Sequence, residues 1–140
     1  MDPTRRYEIF AEAELAVLER WADAILAESD VRILKHPSND LVMMEVHDPI
    51  TDGAFFLGEV LIQECRVMVG DVPGYGYALG TDASRALCSA ILDAALSGGH
   101  PLAAAVAAAL EAEAELVRSR HAAESRLLER SRVRFEVLEG

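Results

Sequence analysis

The stretch GYGYALGTDASRALC, Gly74 to Cys88, decides the reading of the fold. From Gly74 to Ala78 small residues alternate with Tyr75 and Tyr77, the period of a strand with two unlike faces. Leu79-Gly80-Thr81-Asp82 turns the chain, and helical spacing begins after it. Thr81 or Asp82 can cap that helix, Gly98-Gly99 can end it, and Ala86, Leu87, Ala90, Ile91 and Ala94 make its expected buried stripe. The glycines raise a competing reading. A dinucleotide fingerprint needs G-x-G-x-x-G between strand and helix. Gly74 and Gly76 supply the first pair, but Leu79 stands at the third position and the glycine follows late, at Gly80. A P-loop closes on G-K-[S/T], whereas Gly80-Thr81-Asp82 has no lysine and sets a carboxylate where a phosphate would sit. The segment reads as strand, capping turn and helix.

Working outward, Asp2-Pro3 opens a helix. The run from Thr4 to Glu28 reads as one long amphipathic helix, with Phe10, Val17, Trp21 and Ile25 near one stripe and Leu18 beside it. VRILKHP (Val31–Pro37) reads as a short strand and SND as a turn. LVMMEVHD (Leu41–Asp48) is a second strand with Val42, Met44 and Val46 on one face, and DPITDG (Asp48–Gly53) turns again. The β-rich run Ala54–Asp71 carries Gly58 as a bulge or kink, and GDVPG (Gly70–Gly74) leads back to the opening stretch. Beyond it, Pro101 opens an Ala- and Glu-rich helix to roughly Arg130. SRVRFEVLEG (Ser131–Gly140) then alternates Val133, Phe135 and Val137 with Arg132, Arg134 and Glu136, as a C-terminal strand would. The expected fold is α+β, a single domain over 1–140. An antiparallel sheet of about four to six strands is packed with an N-terminal helix and two later helices.

The net charge of −11 opposes general binding to nucleic acid or anionic membrane. With 51% apolar residues the chain is rich enough to fold. The N-terminus is too acidic and polar for a signal peptide, and PLAAAVAAAL is too short to span a bilayer, so a cytoplasmic location is expected. Cys65 and Cys88 form no CxxC and read as buried free thiols. No cysteine cluster serves an iron–sulfur centre, and His36, His47, His100 and His121 share no metal-ligand spacing. Glu59, Glu64 and Asp71 are acids without a paired nucleophile or base, so no catalytic, cofactor-binding or metal-binding residue is assigned. Asp93 is placed facing solvent or a partner.

Arg118, Arg120, Arg126, Arg130, Arg132 and Arg134 make the C-terminal segment locally basic. They suit a phosphate-rich substrate, a helix C-terminus, or pairing with Glu124 and Glu129. Met43, Met44 and Met68 suit either an interface or the core. Small residues on several faces of the long helix favour close packing against a partner or a second copy. Tyr75, Tyr77, Arg118, Arg132, Arg134 and Phe135 are the candidate interface residues.

An ordered set of features resembles the PhnG family, a small subunit of the bacterial carbon–phosphorus lyase system. It comprises Phe55-Phe56, Gly58-Glu59, Arg66-Val67, Gly76-Tyr77, Leu79-Gly80-Thr81-Asp82, Ala90-Ile91-Leu92-Asp93-Ala94 and the Ser131–Gly140 ending, with LVMMEV before the Phe-Phe pair. The resemblance covers roughly Leu41 to Leu96 and the last ten residues. It implies a core complex with PhnH, PhnI and PhnJ. With PhnI, PhnH and the ATPase-like PhnL, the family supports an early step in which a phosphonate displaces adenine from ATP, giving ribose 1-phosphonate 5-triphosphate. Radical cleavage of the C–P bond follows in PhnJ. The resemblance implies an accessory subunit that binds no cofactor itself, ATP being used by the complex, and brings no catalytic residues. The rival expectations are a stand-alone nucleotide-binding enzyme using Gly74–Asp82 and a homodimeric interaction module.

Overall fold

The structure is a computed structural model that describes residues 1–47 and 53–139, the side chains of 44–47, 54–57 and 132–139 excepted. Helix α1 spans Pro3–Glu12; the Asp2 carboxylate accepts the Arg5 N–H and Pro3 occupies the first turn, as the sequence indicates. The expected single N-terminal helix is broken. Ala13 is extended, and α2 restarts at Leu15–Glu28. No local breaker causes this; the groups freed by the break are met from elsewhere. The Arg85 guanidinium donates to the Phe10 and Ala13 carbonyls at 2.7 and 2.8 Å, and the Glu113 carboxylate accepts the Glu14 N–H at 3.1 Å.

Strands β1 (Val31–His47), β2 (Ala54–Val69) and β3 (Val72–Leu79) form one antiparallel sheet in the order β1-β2-β3. Three strands stand among the described residues where four to six were expected. Two of the expected strands are one: β1 runs through Pro37-Ser38-Asn39 with register shifts between Ile33 and Lys35 and between Lys35 and Ser38. Pro37 is tolerated because β1 is an edge strand and the shifts bend it there. A further shift between Met44 and Glu45 lies opposite Gly58, whose φ of 144° fits the expected bulge. The expected DPITDG turn falls largely on 48–52, outside the described residues. At the other end Val69 pairs with Val72 across the turn residues Gly70 and Asp71, Gly70 at φ 59°.

Helix α3 (Ala83–Ser97) lies on one face of the sheet. Helix α4 runs Ala103–Glu139, so the expected C-terminal strand is helical instead. Leu127, Leu128, Glu129 and Arg130 lead into Val133–Val137 without glycine or proline, and extending an existing helix needs no new nucleus. Phe10, Leu18, Ile25, Val67, Leu92, Val106 and Leu110 meet in the core; Val17 and Trp21 are only half-buried. The opposite face of β3 is left open.

Candidate functional site

The glycines that opened the sequence reading serve packing. β3 turns Gly74, Gly76 and Ala78 toward α3. A Cβ on Gly74 would overlap the Ala90 carbonyl oxygen, and one on Gly76 the Ala86 carbonyl oxygen. The helix backbone fills the space that a phosphate would need. Gly80, at φ 71°, turns the chain into α3, where Asp82 rather than Thr81 supplies the cap: its Oδ1 accepts the Arg85 N–H at 3.0 Å. Its Oδ2 lies 3.1 Å from Arg85 Nε. The first turn of α3 is thus already matched by a carboxylate.

Asp93 is buried, which corrects its placement at the surface. It lies on the same face as Ala86, Ala90 and Ser97, and the Arg6 guanidinium meets its Oδ1 at 2.9 Å. Arg6 Nη1 also donates to Ser97 Oγ at 2.7 Å, and Asp93 Oδ2 accepts the Tyr75 N–H at 2.9 Å. The Tyr7 hydroxyl donates to the Tyr75 carbonyl at 3.2 Å. One residue of the outer edge of β3 is therefore closed by side chains of α1 and α3. Burial, with the Asp93 carboxylate nearby, pushes the Tyr7 phenol well above its ordinary pKa. The signal for Asp93 was its helical phase; for Arg6, buried on α1, the sequence offered none.

Tyr75 and Tyr77 share the open face of β3 with Leu79, which is 68% exposed. In register beside them on β2 stand Arg66, Glu64 and Ile62. The Tyr7 ring meets that of Tyr77 edge to face at 5.9 Å. Across α1, Arg118 shares a groove with Arg5, Glu8 and Glu12. Its arginines are matched, Arg118 with Glu115 at 3.1 Å and Arg5 with Glu111 at 2.7 Å, and His121 Nε2 lies 3.0 Å from the Glu12 carboxylate. The Arg5 guanidinium holds the Glu111 carboxyl below its usual range. Arg120 reaches Glu14 of the α1–α2 joint at 3.0 Å rather than a glutamate of its own helix. Arg132, Arg134 and Phe135 lie in the last turns of α4, and their side chains fall outside the described ones. The structure thus groups the two tyrosines and sets Arg118 apart from them on α4.

Much of the apolar surface left exposed lies away from this body. β3 ends at Leu79, opposite Ile62, while β1 and β2 stay paired as far as His47 and Ala54. This two-stranded arm exposes Leu41 (63%), Val42 (41%) and Met43 (55%), successive residues on opposite faces. On α4, Leu116, Leu127 and Leu128 are exposed too.

Cys65 and Cys88 are buried free thiols; burial pushes each up to about 11, helped at Cys88 by Glu19 and Asp23. Among the described residues no three His, Cys, Asp or Glu side chains are grouped to hold a metal ion, and no helix is long and apolar enough to cross a membrane.

Comparison with curated proteins finds no match. The model of one family, described as phosphonate metabolism protein PhnG, matches residues 3–140. Its reach adds α1, α2 and α4 up to Arg130 to the strands, α3 and C-terminal residues that carried the resemblance in the sequence. The chain belongs to the PhnG family of phosphonate metabolism proteins.

Proposed function

We propose that this chain is an accessory subunit of the carbon–phosphorus lyase core complex, needed for the step in which a phosphonate displaces adenine from ATP. It acts on the catalytic subunit, PhnI, holding it in a productive shape, while PhnH, PhnJ and the ATPase-like PhnL complete the assembly. Family membership supports the pathway. The observation that carries the subunit role is the apolar arm: consecutive Leu41, Val42 and Met43 stand exposed on a ribbon without a third strand among the described residues. A two-stranded ribbon is marginal in water by itself, and clustered exposed apolar residues mark surfaces that another protein covers. The rival nucleotide site at Gly74–Asp82 is disfavoured by α3, whose backbone occupies the glycine face.

The test is co-expression with PhnI of the same genome, followed by size exclusion and an assay of adenine release from ATP and a phosphonate. The expected result is a stable complex whose adenine release fails when this chain is omitted. A lone monomer that ignores PhnI and binds ATP itself overturns the reading.

A further inference from the structure

We infer that the edge of β2 between Ala54 and Val60, unpaired on its outer side among the described residues, accepts an extended, basic and apolar segment of a partner protein as an added strand. This rests on the subunit reading above and says how the subunit docks. The Gly80 N–H donates to the Leu61 carbonyl at 2.8 Å, and β3 gives β2 no neighbour past that point. In an antiparallel ladder the backbone groups alternate sides, so the Glu59 N–H and C=O point the same way as the Leu61 carbonyl, into the space beyond β3. The register shift between Met44 and Glu45 bends the arm without pairing that edge. A strand laid there would continue the line of β3 and give the ribbon the third member it needs.

The charge of the arm selects the occupant. From His36 to Cys65 the sequence has no lysine or arginine, and the paired strands of the arm and its base carry Asp40, Glu45, Glu59 and Glu64. Lys35 sits at the base of the arm, 3.3 Å from Asp40 and 2.9 Å from Glu64, and Glu59 further out is exposed. An apolar segment carrying lysine or arginine matches this edge. A second copy of the chain would set carboxylate against carboxylate, which complementary interfaces avoid.

The experiment measures binding of the full-length chain to PhnI as salt is raised, with three variants. Glu59→Lys reverses the edge charge. Glu59→Pro removes the outward N–H while leaving the ladder to β1 intact. Glu28→Lys makes the same charge change at the end of α2, away from the arm. Circular dichroism of each isolated chain checks folding, and Glu59→Lys carries the test if the proline variant does not fold. Wild type and Glu28→Lys should bind alike, both Glu59 variants should lose about tenfold or more, and salt should weaken wild type more than Glu59→Lys. If the complex forms and both Glu59 variants bind as wild type does, the docking edge is overturned and the subunit reading stands. If Glu59→Lys weakens binding but a folded Glu59→Pro does not, backbone pairing is overturned. Self-association of the isolated chain that Glu59→Lys abolishes would make the occupant a second copy and overturn the basic partner. Failure of wild type to bind PhnI overturns both readings.

Discussion

Replacing Gly76 with alanine should cost far more than a methyl group ordinarily does. The new Cβ would lie 2.7 Å from the Ala90 nitrogen and 2.9 Å from the Ala86 carbonyl carbon, with the Ala86 oxygen nearer still. All of these are backbone atoms of α3, so no rotamer change relieves the overlap. Restoring ordinary contact to the Ala86 oxygen requires α3 to retreat by about 1.5 Å, and a gap of even about 0.5 to 1 Å forfeits a quarter to a half of each dispersion contact it opens. The surface affected is the main seam of the fold, where Ala86, Ala90, Ile91 and Ala94 meet Cys65, Val67 and Ala78. Overpacking of this kind costs about 1 to 3 kcal/mol, and the rigid neighbours place it at the top of that range. At roughly 3 °C per kcal/mol for a chain of this size, Tm should fall by about 10 °C. Gly80→Ala is the comparison: the site is open and only the positive φ of 71° penalises a side chain, so the loss should be about 1 kcal/mol. Thermal and urea unfolding of both variants decide the matter. Gly76→Ala no less stable than Gly80→Ala would refute the argument that these glycines exist to admit the helix.

Two further outcomes follow from buried groups. Arg6→Met leaves the Asp93 carboxylate buried without its cation and should cost about 3 to 5 kcal/mol by urea unfolding, with part of it recovered in Arg6→Met/Asp93→Leu; a loss under about 1 kcal/mol would show that the pair is not held together in solution. The Cys65 and Cys88 thiols are raised from 9.0 to about 11 in the folded chain, so the unfolded chain ionises first. Their contribution is whole below pH 9 and is lost as pH rises toward 11, up to roughly 2 to 3 kcal/mol per thiol. Unfolding curves across that window should decline less steeply for Cys65→Ala/Cys88→Ala than for wild type, and equal slopes would rule the thiols out.

What the sequence made legible was local. The alternation around Tyr75 and Tyr77, the Asp2 and Asp82 caps and the α3 stripe each depend on residues within a few positions of one another, and each is found as read except that Leu87 of the stripe is only half-buried. What it hid depends on groups far apart along the chain. The break after Glu12 is written nowhere near Ala13; it is stable because Arg85 and Glu113 arrive from α3 and α4 to meet the exposed backbone. Asp93 looked like a surface acid because its cation, Arg6, lies 87 positions away. The C-terminal alternation of Val133, Phe135 and Val137 obeyed the strand period, yet period alone supplies no pairing neighbour, and the helix already running through Arg130 extends more cheaply than a new strand forms. The candidate interface divides along the same line. That Tyr75 and Tyr77 share a face was legible because one strand carries both, whereas the edge of β2 beyond Ile62 becomes visible only once β3 is known to stop at Leu79. A strand that outruns its neighbour is a property of the sheet, not of either sequence segment. That is why the arm bearing Glu59, rather than the glycines that first drew notice, is where binding should be sought.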